Sequence, residues 1–252
     1  MRLDKYLSER YGSRTKAAVA ISKGLVLVNG KPAEPSYDFK DGDKLQINSD
    51  TESYVSAGGY KLAKAIKDFF FSVEGKVFAD IGASTGGFTD CLLQNGAKKV
   101  YCIDVGESQL DKSLLCDKVV VIDNYNARNL DKNIFSDKLD GVVIDVSFIS
   151  LTYILKAVSD VLCEGSYVLA LIKPQFECES KKVGKNGIVR DSKTHEKIIY
   201  KIYDFALSCG LVPINLTNAP HVPGKNLEYV IQLKKGEKPA VKKELLIKSV
   251  KL

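Results

Sequence analysis

The chain has 252 residues, 45% of them apolar and 27% charged, which excludes collagen-like, disordered and disulfide-scaffold classes and leaves room for one full domain plus a small module. Its net charge of +6 is concentrated at the ends: residues 1–31 and 234–252 carry +5 each, residues 32–52 carry −4, and residues 53–233 are neutral. Basic patches beside a neutral body point to a polyanionic partner.

Leu3, Tyr6 and Leu7 recur at helical spacing. Ser13, a good N-cap, opens a second helix through Ala17, Ala18 and Ile21, which Gly24 stops. Leu25–Val28 reads as a strand running into an Asn29-Gly30 turn, and Asp41-Gly42-Asp43 leads into another, Lys44–Ile47. Residues 1–48 therefore read as a small α+β unit with a marginal core, of the kind that works by binding something. Residues 49–60 read as a linker that ends in a tight Gly58-Gly59 step, and a helix is expected from about Lys61 to Phe70.

Residues 61–252 alternate strand and helix. Strand-like runs are Val77–Ile81, Val100–Asp104, Val119–Ile122, Gly141–Val146, Tyr167–Ile172, Leu211–Leu216 and Tyr229–Leu233. Helical stretches at Gly87–Gln94, Leu151–Leu162 and Thr194–Ser208 fit between them. This pattern predicts an α/β, Rossmann-like domain with a mostly parallel sheet and helices on both faces. The short break between the last two runs predicts an antiparallel edge hairpin. The six cysteines show no C-x-x-C spacing, which argues against a zinc site, and most lie in apolar runs as buried residues do. There is no signal peptide and no apolar run of 18 residues, so a cytoplasmic protein is expected.

The first βα turn, Asp80-Ile81-Gly82-Ala83-Ser84-Thr85-Gly86-Gly87-Phe88, is a strand, a glycine-rich loop and a helix start. Such a turn lets a ligand lie on bare backbone at a helix N-terminus. Its G-x-x-x-G-G spacing is neither the dinucleotide fingerprint nor a Walker loop. Asp80 suits a ligand with a cationic amino group rather than a pyrophosphate. Asp104, at the end of the next strand, stands where ribose hydroxyls are usually bound. A nucleoside with an amino-acid arm and no pyrophosphate is S-adenosylmethionine; the loop alone leaves another nucleotide open. Asp145 and Lys173 each place a charge just past an apolar strand, where α/β domains bind ligands.

With these residues in view, the chain resembles the ribose 2′-O-methyltransferases of the FtsJ type, and more closely the TlyA (hemolysin A) family of ribosomal RNA methyltransferases. The resemblance rests on residues 80–90, on Asp145-Val146-Ser147-Phe148-Ile149-Ser150-Leu151, on Lys173-Pro174-Gln175-Phe176-Glu177, and on Val183-Gly184-Lys185 through Val189-Arg190-Asp191. Arg2-Leu3-Asp4, Ser13-Arg14 and Val28-Asn29-Gly30 are similar to the S-four RNA-binding module of that family. The likeness covers essentially residues 1–233. It implies a methyltransferase that takes S-adenosylmethionine and acts on a ribose 2′-hydroxyl, a cytidine's, in ribosomal RNA within ribosomal subunits.

It further implies a Lys-Asp-Lys-Glu set at Lys61, Asp145, Lys173 and Glu228. The cofactor would lie against Asp80, Gly82, Ser84, Thr85, Gly86, Gly87, Phe88, Asp104 and Asp145. Candidates for RNA binding are Arg2, Lys5, Arg10, Arg14, Lys16 and Lys23. Such a set has chemical sense, because a ribose hydroxyl is a weak acid that must be held, oriented and relieved of its proton. A plain salt-bridge network is the alternative for the four, and a solvated helix face for the basic residues. Two departures stand out: Ala57 occupies a position where a basic residue is expected, and Gly224-Lys225-Asn226 carries one residue more than the family's Gly-Asn pair. A membrane-active hemolysin and an RNA-binding protein with an inactive methyltransferase fold are the competing functions.

Overall fold

The computed structural model describes residues 1–22, 24–47, 53–184, 186–222, 224–236 and 241–252. They form two compact units, Met1–Ser53 and Tyr54–Leu252.

In the first unit, α1 (Leu3–Tyr6) and α2 (Arg14–Ser22) precede β1 (Val26–Val28), β2 (Lys31–Pro32) and β3 (Leu45–Ile47). The strands form an antiparallel sheet of order β2-β1-β3. The β1–β2 turn has positive φ at both central residues, 53° at Asn29 and 77° at Gly30, the requirement that selects Asn-Gly. Asn29 also ties β1 to the start of β3: its Oδ1 accepts the Lys44 N–H at 2.9 Å and its Nδ2 donates to Asp43 at 2.8 Å. The core is small, built on Leu3, Leu7, Ala17, Ile21, Val26 and Val28.

The second unit opens with α3 (Ala57–Asp68), which begins four residues earlier than the spacing predicts, within the stretch expected as linker. Then follow β4 (Val77–Ile81), α4 (Gly87–Gln94), β5 (Lys99–Ile103), β6 (Val119–Ile122), β7 (Gly141–Ile144), α5 (Thr152–Val161), β8 (Tyr167–Ile172), the single-turn α6 (Pro174–Glu177), α7 (Ser192–Ser208), β9 (Leu211–Asn218), β10 (Tyr229–Lys235) and α8 (Lys243–Lys248). The sheet order is β6-β5-β4-β7-β8-β10-β9. The first five strands are parallel, and β10 runs antiparallel between β8 and β9. The expected hairpin therefore exists, with β9 as its outer strand.

Each face of the sheet is buried under helices. Leu62 and Ala65 of α3 pack with Phe88 and Leu92 of α4 on one side; Leu155 and Val158 of α5 pack with Ile199 and Ile202 of α7 on the other. The basic C-terminal segment is docked as well. Leu246 of α8 is buried, and the Asn218 side chain bonds both the N–H and the C=O of Lys251.

One expectation needs correction. Only Cys91 and Cys102 are buried; Cys116 and Cys163 are exposed because they sit in turns beyond the apolar runs. Among the described residues, no helix is long and apolar enough to cross a membrane.

Candidate active site

The carboxyl ends of β4, β7 and β8 converge on a cleft of about 170 Å³ lined by Gly82, Ala83, Ser84, Thr85, Gly87, Phe88, Asp145, Ser147 and Lys173, with Ser56 and Gly58 from the start of α3. The glycines are needed for close approach. A Cβ on Gly82 would stand 2.8 Å from the Asp145 backbone oxygen, and one on Gly87 would stand 2.1 Å from Ser56 Oγ. Gly82 also has φ of +80°, which a side chain would oppose. The N-termini of α3 and α4 thus meet backbone to backbone at the cleft wall.

Three residues expected at the cofactor do not line the cleft. Asp80 is fully buried beneath the loop, where its Oδ2 accepts the Thr89 hydroxyl at 2.7 Å and its Oδ1 has no partner among the described residues. Burial, with Asp145 and Asp104 adding to it, pushes its carboxyl up to about 7. The expectation that Asp80 faces a cationic group is therefore corrected: its strand position points it under the loop. Asp104 fastens the loop instead, accepting the N–H groups of Ser84 and Gly106, each at 2.8 Å. Gly86 lies beneath Leu110 and Leu114.

Lys173 Nζ stands 2.6 Å from Asp145 Oδ1, an ion pair without hydrogen-bond alignment, and donates to Ser147 Oγ at 2.8 Å. Both charged side chains are mostly covered, 11% and 18% exposed. The proline that follows holds Lys173 extended, with φ −108° and ψ 100°, before opening α6 at its first position. Lys61 Nζ bonds Glu228 Oε2 at 2.5 Å. Lys61 lies one turn past the cleft-lining Gly58, whose missing Cβ would come 3.5 Å from Asp145 Oδ2. Glu228 precedes β10, whose register pairs Tyr229 with Ile172 and so continues to Glu228 beside Lys173. The four residues are thus gathered at one end of the sheet as two ion pairs, whose charges sum to zero.

Several supporting residues have no role assigned by the sequence, although Glu177, Asn226 and Phe148 lie in its motifs. Glu177 is buried; its carboxylate accepts the Leu151 N–H at 2.7 Å and the Ser150 hydroxyl at 2.6 Å and pairs with Lys201 at 3.2 Å, which pins the loop after β7. Asn226 accepts the Val189 N–H and donates to the Gly187 carbonyl, each at 2.8 Å, so the 183–191 motif is strapped next to Glu228. His195 is buried beside it. A carbonyl can only accept, so Nε2 donates to Val189 O at 2.9 Å, and in the neutral ring Nδ1 accepts the Tyr229 hydroxyl at 2.8 Å. Phe148 is 89% exposed next to Ser147, with φ of +63°, and its ring lies 5.0 Å from that of Phe176. A sequence gives no sign of such exposure.

In the first unit, Asp4 is buried and takes both Arg2, at 2.8 Å, and Arg14, at 3.2 Å. The Arg2 hydrogen bonds hold its carboxyl down at about 2, with Arg14 contributing. Two of the six RNA-binding candidates are therefore also structural. Lys5 and Arg10 are exposed. Lys23, Asn48 and Lys185 lie outside the described residues, as do residues 49–52 of the expected linker, and so does the Lys16 side chain.

The FtsJ-like methyltransferase model matches residues 54–235, and an S4 domain model matches residues 1–45. The chain is 45% identical to Hemolysin A of Brachyspira hyodysenteriae over 91% of its own length and 98% of that protein. It is 37% identical to the 16S/23S rRNA (cytidine-2′-O)-methyltransferase TlyA of Mycobacterium tuberculosis over 88% of its length and 84% of that protein. A solved Streptococcus thermophilus protein, provisionally described as a hemolysin, superposes with a TM-score of 0.74 at 38% identity, covering 98% of this chain and 94% of that one.

Proposed function

The chain belongs to the FtsJ-like methyltransferase family, and we propose that it transfers a methyl group from S-adenosylmethionine to the 2′-hydroxyl of a cytidine in ribosomal RNA, in the cytoplasm. The observation that carries this reading is the Lys173–Asp145 pair set in the wall of a glycine-lined cleft, with Lys61–Glu228 at its side. The naming of the Mycobacterium tuberculosis relative supports cytidine as the target.

The cleft fits the cofactor. Bare backbone at Gly82 and Gly87 admits a nucleoside at close range, Asp145 offers a carboxylate to a cationic arm, and Phe88 supplies an apolar wall. When bound, S-adenosylmethionine supplies a methyl on a sulfonium, electrophilic without further activation. Gly82, Ser84, Thr85, Gly87 and Phe88 would hold it. Asp104 fixes the loop through the Ser84 N–H, and Asp80 supports it from beneath through Thr89.

Lys173 would hold the ribose 2′-oxygen and, once its ammonium has released a proton to solvent, receive the hydroxyl proton as the free amine. Ser147 occupies one of its hydrogens and sets the rotation of the amine. Asp145 keeps the lysine head at the cleft and would face the positive charge of the methyl donor. Lys61 and Glu228 would position the ribose for in-line attack, which needs the reacting atoms close and aligned. Phe148, exposed in a strained conformation at the mouth, would give the target base a stacking face. The first unit would grip the RNA backbone through Lys5, Arg10 and the free edges of Arg2 and Arg14.

The test is transfer of labelled methyl to ribosomal subunits that lack the modification, with Lys173→Ala as control. Label on a ribose 2′-oxygen, lost in the variant while S-adenosylmethionine still binds, is the expected result. Label in the variant at the wild-type rate would end the assignment of Lys173.

A further inference from the structure

A second groove, of about 300 Å³, lies at the far end of α3 from Lys61 and is formed by Phe69, Phe70, Phe71, Lys76, Tyr167, Asn215 and Gln232 among others. None of these residues takes part in the site described above. Nine residues of chain, about 14 Å of helix rise, separate Phe70 from Lys61.

Phe70 is unusual on two counts. It is 96% exposed, and its φ is +50°. It sits at the C′ position of a helix ending in which the Phe70 N–H bonds the Lys67 carbonyl at 3.2 Å and the Phe71 N–H bonds the Ile66 carbonyl at 2.9 Å. Glycine is the residue that suits this position, since a side chain strains it. A large aromatic ring kept there, wholly in solvent, contributes nothing to folding that glycine would not do better. Strain of this kind at an exposed residue marks a contact surface.

The rest of the groove says what the contact is. Gln232 is 97% covered, and its Oε1 accepts the Asn215 side-chain N–H at 2.8 Å. That bond leaves both amide N–H hydrogens of Gln232 and the amide oxygen of Asn215 with no partner among the described residues, on two residues that line the groove. If both amides are turned over, both N–H hydrogens of Asn215 and the amide oxygen of Gln232 remain instead, so donor and acceptor exchange places. A paired donor and acceptor beside an aromatic face matches the edge and face of a nucleobase. Charge agrees: Lys76 stands 5.1 Å over the Phe71 ring and Lys234 5.5 Å over the Tyr167 ring, while among the described residues no acidic one lines the groove.

We propose that the groove of Phe70, Tyr167, Asn215 and Gln232 binds an unpaired nucleotide of the RNA that flanks the methylated one, its base stacked on Phe70 and its phosphate met by Lys76 and Lys234. This rests on the reading of the chain as an RNA-modifying enzyme.

Phe70→Gly isolates the effect, because glycine suits the backbone there and removes the ring. The measurements are thermal melting, affinity for a short single-stranded oligoribonucleotide of mixed sequence, and methyl transfer to ribosomal subunits. Phe70→Gly is expected to melt at or above the wild-type temperature, to bind the oligonucleotide about fivefold or more weakly, and to raise KM for subunits with kcat kept. Lys234→Gln is expected to lower the salt dependence of binding. Unchanged RNA affinity in Phe70→Gly, with transfer by the wild type intact, overturns the groove and leaves the proposed reaction standing. RNA binding that weakens in Phe70→Gly, in a wild type that transfers no methyl, overturns the reaction and leaves the groove standing. Binding of a protein but no RNA at this surface overturns the proposal.

Discussion

The Lys61 ammonium and the Glu228 carboxylate meet at 2.5 Å across 167 residues of chain. One comes from the first turns of a helix that precedes the sheet, the other from the residue before an antiparallel strand. Each is 16–22% exposed, so neither is stable alone in its place without reorganisation. Lys61→Ala and Glu228→Ala are each expected to lower kcat by about 10²-fold to 10⁴-fold, and the double variant no further than the worse single one. Single-turnover methyl transfer by the four proteins tests this; strictly multiplicative losses would show that the two residues act separately.

Asp80 gives the second unit a pH dependence of known sign. Its carboxyl is raised by burial to about 7, against 3.8 in the unfolded chain. Its contribution to stability is therefore complete at low pH and is lost as pH rises through about 7, because the unfolded chain sheds the proton first. Asp80→Asn is expected to flatten the melting temperature between about pH 4 and pH 7 and to gain most over wild type at the upper end of that interval. Melting curves of the ligand-free proteins at several pH values decide it. A wild type whose stability climbs over that interval, relative to the variant, contradicts the assignment.

Arg14 and Arg10 look alike in the sequence but have different standing. Arg14 shares the buried Asp4 with Arg2, whereas Arg10 is exposed. Arg14→Ala is expected to speed amide hydrogen exchange across α1 and α2 in the intact chain, since it leaves a buried carboxylate short of a partner. Arg10→Ala should leave exchange unchanged and only reduce the salt slope of RNA binding. Equal exchange in the two variants would remove the structural role of Arg14.

Phe148→Ala should raise KM for RNA about fivefold to a hundredfold and leave affinity for S-adenosylmethionine at the wild-type value, as expected for a lost base stack. Steady-state kinetics with ribosomal subunits, beside calorimetry with the cofactor, separates this from a collapsed loop, which would weaken both.

The strands and the glycine loop were legible because their signals are local: apolar runs of fixed length, and glycines where the backbone must turn. Asp145 and Lys173 were legible by position, as charges just past apolar strands. Lys61 and Glu228 were not. The first lies on a helix before the sheet, and the second is brought to the carboxyl ends only because β10 runs against its neighbours, so family resemblance alone picked them out. Asp80 was misread because an acid at a strand end can point into the cleft or under the loop, and the pleat that decides this is invisible in one sequence. Phe148, Asn226 and His195 were missed because their use depends on loop conformation and on tautomer, neither of which residue type reveals.

The absence of any room at Gly87 has a dynamic consequence. The loop that would cradle the methyl donor and the helix that carries Lys61 approach closely at Gly87, which faces the backbone of Gly58 and Gly59 and the short side chain of Ser56. A displacement of one is passed to the other as if by a rigid lever. Filling the cleft and aiming the lysine would then be coupled, each favouring the other in equal measure.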